Sequence, residues 1–548
     1  MKYLVFIAVV FYANFIEAYQ TYTDVSNKLQ NLIEKVASEQ MSIPEALLSI
    51  GEQDIDMLIK PSVVYLDKMD LIARAKIAST GAAQGVLCFD LLELPRLKKQ
   101  YGSVIWVTDY INNDELCYLK DFAGIFSLKE DPSSHAIIVT RVSSIPCLTI
   151  PQNILKQGKT LVTPFRTYYE GDLVTLDAFN GNLFSGFLPL HKEVDTVLLN
   201  TIMSWVEQFA KLSVHGNADT AEEAKQALDF GAKGVDPRTE HMFFHLERLH
   251  LFRKVILSKG ANAEELNELE NCQRKDFVDM YRTMTFYPVN IRLLDPPLHE
   301  FLPTDKFLLD ALARDLEMSY EFLKKKVDEL HEVNPMMGHR GVRLLLTFPE
   351  ILRMQARAIF KAALDPSLEH YCIEPRIVIP MIISSQEVVK IKEIIDEVRD
   401  EISTKARMDI VYHLGIMIET PRACLLAKEL APYIDFISFG TNDLTGQTLA
   451  LSRGDVYNKF LKYYIDMGLL HFDPFSQLDP AVVELMKITV EQIRRVNHSI
   501  QIGICGEQAS EKSGVFICNQ LGFDSVSCSP TRIPAVKLFA AQAALSED

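Results

Sequence analysis

Hydrophobic and polar positions alternate along the chain in three textures. From about residue 24 to 57 the apolar residues recur at helical spacing, as in SNKLQNLIEKVASEQ, and predict amphipathic helices. Over 71–190 the apolar runs shorten and turn β-rich: GVLCFDLL, SVIWVTDY, AIIVTRV, TLVTPF and LVTLDAF. Gly, Pro, Asn and Asp break them up, which predicts a small mixed α/β domain with few long helices. HKEVDTVLLNTIMSWVEQFAKL returns to helical spacing and predicts a linker over 191–211. Beyond it, over 212–548, one unit repeats: a short apolar strand ending in polar residues, then a helical stretch. The expected strands are LSVHGNAD, KGVDPRTE, VNIRLLD, VNPMMGHR, PRIVIPMI, YHLGIMIE, DFISFGTND and IQIGICGE. Eight such units predict a (β/α)8 barrel, enlarged by insertions, with its site at the C-terminal strand ends.

Composition narrows this α/β picture. A chain of 548 residues is too long for one ordinary core. With 48% hydrophobic and 24% charged residues it has the balance of a globular protein, and no region apart from the start approaches a membrane span. A net charge of −17 repels nucleic acid and argues against that partner. A local arginine cluster can still override it for a small anion. Nine cysteines without a CxxC pair argue against a disulfide framework or structural zinc, and favour a reducing compartment. The start is different. MKYLVFIAVVFYANFIEA, within an apolar segment over 1–23, has one Lys and then a long apolar run. That is the shape of a secretory signal peptide or of a buried first element, and it is too short for a secure span. Residues 24–70 then form a helical connector.

The expected strand ends carry Arg238, Arg340, Glu419, Asn442, Asp443 and Cys505. Glu419 and Asp443 end the sixth and seventh expected strands. Two adjacent carboxylates can share a hard cation, Mg²⁺ or Mn²⁺, or can simply cap helices. Arg238 and Arg340 end the second and fourth, and guanidinium forks grip phosphate or carboxylate. Arg376 at the start of the fifth and Arg453 after the seventh add to that positive set. Cys505, between two glycines in GICGEQAS, suits a proton donor, a nucleophile or a small buried hydrophobe.

VNIRLLDPPLHEFLP, NPMMGHRGVRL, GIMIETPRA, FISFGTNDLTGQTLALSR, GICGEQAS and SVSCSPTRIPAVKLFAAQAAL together resemble the barrel of the phosphoenolpyruvate-utilising enzymes. The pyruvate, phosphate dikinase group is nearest. IASTGAAQG and SSHAIIVTR resemble the glycine turn and phosphohistidine motif of that family's swivelling domain. The resemblance implies a phosphotransferase in which His135 takes a phosphoryl group from phosphoenolpyruvate. Mg²⁺ would sit on Glu419 and Asp443. Arg238, Arg340 and the segment Gly440, Thr441 and Asn442 would hold the substrate, and Cys505 would protonate the enolate of pyruvate. It also implies a homodimer formed through the barrel. The cytoplasm is the expected compartment, since the substrates are found there; cleavage of residues 1–18 would instead mark a secreted protein.

Four features depart from the family pattern. The ATP-grasp module expected before the swivelling domain has no counterpart, so a separate nucleotide-binding subunit or another phosphoryl acceptor is expected. Glu130 and Asp131 stand where the family usually has glycines; carboxylates there repel phosphohistidine and raise the imidazole pKa. Pro237 precedes Arg238 in a motif one residue short, and Gln508 replaces a common histidine. A module that binds phosphoenolpyruvate or pyruvate without passing phosphate on is therefore the alternative, with barrel-only chemistry behind it.

Overall fold

The computed structural model describes residues 20–111, 113–129, 137, 140–141, 143–243, 246–257, 263–303, 305–332, 334, 337–452 and 456–546. His135, Glu130, Asp131, Arg453 and residues 1–18 lie outside them. Among the described residues no helix is long and apolar enough to cross a membrane. The chain divides into two compact units between Trp205 and Val206.

The first unit begins with three short helices, Tyr22–Ala37, Ile43–Ser49 and Glu52–Ile59. Thr21 with Asp24, and Ser42 with Glu45, close capping boxes that satisfy the first free N–H groups. An eight-stranded mixed sheet follows. Its parallel centre is Ala82–Cys88, Val104–Thr108, Gly124–Ser127 and Cys147–Thr149, with antiparallel strands on either side. Strand alternation separates two cores: Leu87, Ile105 and Val107 face one side, and Val86, Val104 and Trp106 the other. In the IASTGAAQG turn, Gly81 has φ +129°, and a Cβ there would meet the Pro146 ring at 2.9 Å.

The second unit is the barrel. Its strands are β1 (Ser213–Gly216), β2 (Asn290–Arg292), β3 (Arg376–Ile379), β4 (His413–Ile418), β5 (Phe436–Phe439), β6 (Gln501–Ile504) and β7 (Ser525–Cys528). All pair in parallel, in the order β1-β7-β6-β5-β4-β3-β2. Residues 235–238 close the ring. Val235 bridges Gly216 on one side and Val289 on the other, and Arg238 bridges Arg292. Pro237 has no N–H, but its carbonyl still accepts from Arg292 N at 3.1 Å, so Arg238 keeps its register.

The ring therefore has eight staves, with one correction to the expected set. VNPMMGHR is not assigned as strand among its described residues. From Gly338 the chain passes through Arg340 into a helix at Val342–Thr347. The eighth stave is Ser525–Cys528. Along each strand alternate residues turn outward: Ile377, Ile379, Ile416, Ile418, Ile437 and Phe439 join the large core under the surrounding helices. Inside, Val378, Met417 and Phe436 pack together, with Cys505 against them. Gly415 makes room for Phe436, because any Cβ there would collide with the ring.

Candidate active site

Three carboxylates converge where the strands end. Asp295 follows β2, Glu419 directly follows β4, and Asp443 lies in the first turn of the helix Thr441–Leu449 after β5. One oxygen from each lies within 4.8 Å of the others. Glu419 and Asp295 are 1% and 2% exposed, and the helix that follows Glu419 is capped by Thr420 instead. Burial, and then the charges of Asp295 and Asp443, push the Glu419 carboxyl well above the usual range. Burial also opposes ionisation of Asp295, but Arg340 and Arg292 outweigh it and hold that carboxyl low. The donor set is all oxygen and close-packed, and it fits a hard divalent cation such as Mg²⁺.

Arg340 bridges two members of the set. Its Nη1 donates to Asp443 Oδ1 at 3.0 Å and its Nε to Asp295 Oδ1 at 3.2 Å. It reaches them from a loop between β2 and β3, not from a strand end as expected. Gly341, at φ +57°, sits so close that a Cβ would meet Met381 Cβ at 2.7 Å. Met381 N donates to Glu419 Oε1 at 2.8 Å. Met381, just after β3, thus braces Glu419 while packing against the loop that places Arg340.

Arg292, the last residue of β2, pairs with the buried Glu240 and lies 3.6 Å from Asp295. Its Nε is buried without a partner, as is Asn442 Oδ1. An unsatisfied buried guanidinium donor is what an anionic, oxygen-rich ligand would satisfy, whereas the Asn442 oxygen calls for a donor or a cation. Arg238 is in register with Arg292 but turned to Asp219, donating from Nη2 at 2.7 Å; its side chain is 43% exposed. Burial disfavours the Asp219 charge, yet His241 and Arg238 hold the carboxyl far below the usual range.

Gly440 opens the helix that carries Asp443. A Cβ there would meet Glu419 Cγ at 2.7 Å, so only glycine lets the two elements close on each other. Thr441 is fully buried, and its hydroxyl donates to Gln508 Oε1 at 2.8 Å. Gln508 is thereby a strut for the Gly440–Asn442 segment. Cys505 follows β6 with its thiol 3.5 Å from the Phe439 carbonyl. Burial pushes that thiol up to about 11, against the pull of Arg292, so it stays protonated near neutrality.

Of the residues expected from sequence, Arg340, Glu419, Gly440, Thr441, Asn442, Asp443 and Cys505 come together, with Arg238 at the margin. Arg376 does not. It begins β3, at the N-terminal mouth of the barrel, and bonds Asn290 Oδ1 and Gln501 Oε1 at 2.7 Å each. Its place at the start of a strand puts it at the wrong end. Arg453 and His135 lie outside the described residues. Asp295 and Arg292 were missed; both stand in VNIRLLD, where the strand-end rule already pointed.

Comparison with known proteins agrees with this architecture. Residues 195–545 match the family model described as PEP-utilising enzyme, PEP-binding domain, and 101–181 match PEP-utilising enzyme, mobile domain. The chain is 37% identical over 527 residues to a pyruvate, phosphate dikinase of Clostridium symbiosum, covering 94% of this chain and 60% of that protein. A Giardia intestinalis protein of the same name is 38% identical over 511 residues, covering 91% and 57%. The Rhizobium meliloti one is 37% identical over 513, covering 92% and 57%. The chain thus spans about 60% of the length of these relatives.

Proposed function

The chain belongs to the PEP-utilising enzymes, and from that premise we propose that it moves a phosphoryl group between phosphoenolpyruvate and His135, with pyruvate as the other product. The carrying observation is the buried constellation of Asp295, Glu419 and Asp443 with Arg340 and Arg292. A divalent cation held by the three carboxylates would supply fixed positive charge beside the transferring group. Arg340 and Arg292 orient the phosphate and offset charge as it shifts onto the leaving oxygen. Arg238 assists from the margin, and Asn442, in the same segment as Gly440 and Thr441, stands beside the site.

Cleavage of the P–O bond leaves the enolate of pyruvate. Cys505, held as a thiol, gives its proton to C3 of that enolate. His135 in its neutral form attacks phosphorus. The match of 101–181 to the family's mobile domain supports a histidine that travels. The phosphoryl group then passes to a separate acceptor or nucleotide-binding partner. The same reading includes a homodimer formed through the barrel and a place in the cytoplasm, where these substrates occur.

Calorimetry tests the site. Phosphoenolpyruvate should bind the full chain only with Mg²⁺ present. Glu419→Gln should abolish that binding, and His135→Ala should leave it intact. Metal-independent binding, or binding retained in Glu419→Gln, would remove the cation assignment.

A further inference from the structure

Arg340 spans Asp295 and Asp443 with one guanidinium fork, a contact that tolerates a displacement of only about 0.5 Å. What fixes its backbone is therefore part of the site. On the C-terminal side backbone bonds fix it: Gly341 N donates to the Asp295 carbonyl at 2.8 Å, and Val342 N to the Pro380 carbonyl at 3.1 Å. On the N-terminal side two side chains fix it. Glu332 Oε1 accepts from His339 N at 2.7 Å, across seven residues of chain. Arg343 Nη1 donates to the Gly338 carbonyl at 2.8 Å and to the Met337 carbonyl at 3.2 Å. An anion on an N–H and a cation on two carbonyls thus grip residues 337–339 with opposite polarity.

Glu332 follows the helix Tyr320–Leu330 and its capping residue His331. A Cβ on Gly338 would fall 1.3 Å from Glu332 Oε2, so glycine lets the carboxylate lie against the chain and reach the next N–H. That Oε2 is buried with no hydrogen-bond partner among the described residues. A buried carboxylate oxygen left in this way lowers stability, and what the other oxygen holds accounts for its presence. Burial opposes the Arg340 charge, and the carboxylates that outweigh it are Asp295, Asp443 and Glu419. Glu332 acts on Arg340 through the backbone instead. The reading of the cation and phosphate site makes no use of Glu332, Gly338 or Arg343.

We propose that Glu332 and Arg343, with Gly338 between them, position Arg340 for the phosphate of the substrate. This rests on the reading that Arg340 orients that phosphate. Glu332 and Arg343 are positioning residues, since they act only through the backbone before Arg340. At position 332 the bond to His339 N needs an acceptor oxygen at the end of a side chain of this length. Glutamine supplies one, alanine does not, and aspartate falls short by about 1.5 Å, one C–C bond.

Calorimetry on the full chain with Mg²⁺ tests this, with phosphoenolpyruvate and pyruvate as paired probes and thermal unfolding as the check on folding. Glu332→Ala should weaken phosphoenolpyruvate binding at least about tenfold, and so should Gly338→Ala, whose methyl group displaces the carboxylate. Pyruvate carries no phosphate, so its affinity should stay within about twofold in both variants. Glu332→Gln should hold both ligands within about twofold of the parent chain. Added to Arg340→Ala, Glu332→Ala should weaken phosphoenolpyruvate binding no further, because both changes remove the same contact. Full phosphoenolpyruvate affinity in folded Glu332→Ala and Gly338→Ala would overturn the proposal. So would equal losses for the two ligands, or a loss in Glu332→Gln as large as in Glu332→Ala. If the parent chain binds no phosphoenolpyruvate with Mg²⁺, the phosphate reading itself fails and this proposal falls with it.

Discussion

Cys505 sits among Val378, Met417 and Phe436 with a carbonyl at 3.5 Å, and that burial holds the thiol up near 11. Since its pKa is raised, the thiolate is scarce at pH 7–8 and grows only as pH approaches that value. Peptide-mapped alkylation of Cys505 should therefore rise steeply only toward pH 11. Early alkylation of Cys505 would contradict its role as a proton donor. Arg292 makes a sharper case. Truncation to Ala would remove the proposed phosphate contact and strand the buried Glu240, so phosphoenolpyruvate binding should weaken by about 2–5 kcal/mol and the melting temperature should fall. The double change Arg292→Ala with Glu240→Ala should recover much of the stability and none of the binding. Recovery of binding in the double variant would show that Arg292 only props up the fold.

Elements set where these residues stand. Gly440→Ala places a methyl group 2.7 Å from Glu419 Cγ. It should cut Mg²⁺ affinity at least about tenfold while leaving a folded chain, as measured by calorimetry and thermal unfolding. Phe436→Ala empties the barrel centre against Gly415 and should cost about 3–5 kcal/mol, read from denaturant unfolding. Most staves were legible because an apolar run followed by a polar turn survives in sequence: PRIVIPMI, YHLGIMIE and DFISFGTND lie at β3, β4 and β5. Ser525–Cys528 was not, since SVSC is short and half polar, and its outward residue Val526 only makes sense beside β1 and β6. VNPMMGHR imitated the strand-then-charge pattern and displaced it. The same slip assigned Arg340 to a strand end. It reaches the site from a loop whose path depends on Gly341 and Met381, which no local pattern encodes. Arg376 misled for the opposite reason: composition marks an anion-binding type of residue, but only the direction of the strand says which mouth it faces.

At the scale of the whole molecule the chain carries two of the parts that a PEP-dependent histidine phosphotransfer needs: a barrel matched to the PEP-binding domain and a preceding unit matched to the mobile domain. A net charge of −17 repels an anionic substrate at long range, so under the proposed function capture would fall to Arg340, Arg292 and a cation at short range. Binding of phosphoenolpyruvate should accordingly depend more steeply on Mg²⁺ than on ionic strength, which a salt and metal titration checks. Where the phosphoryl group goes separates transfer from binding alone. Incubating the full chain with Mg²⁺ and phosphoenolpyruvate labelled in the phosphate should place acid-labile label on the peptide containing His135, with pyruvate released in equal amount. Substrate that binds, or pyruvate that forms, while His135 stays unlabelled would contradict it.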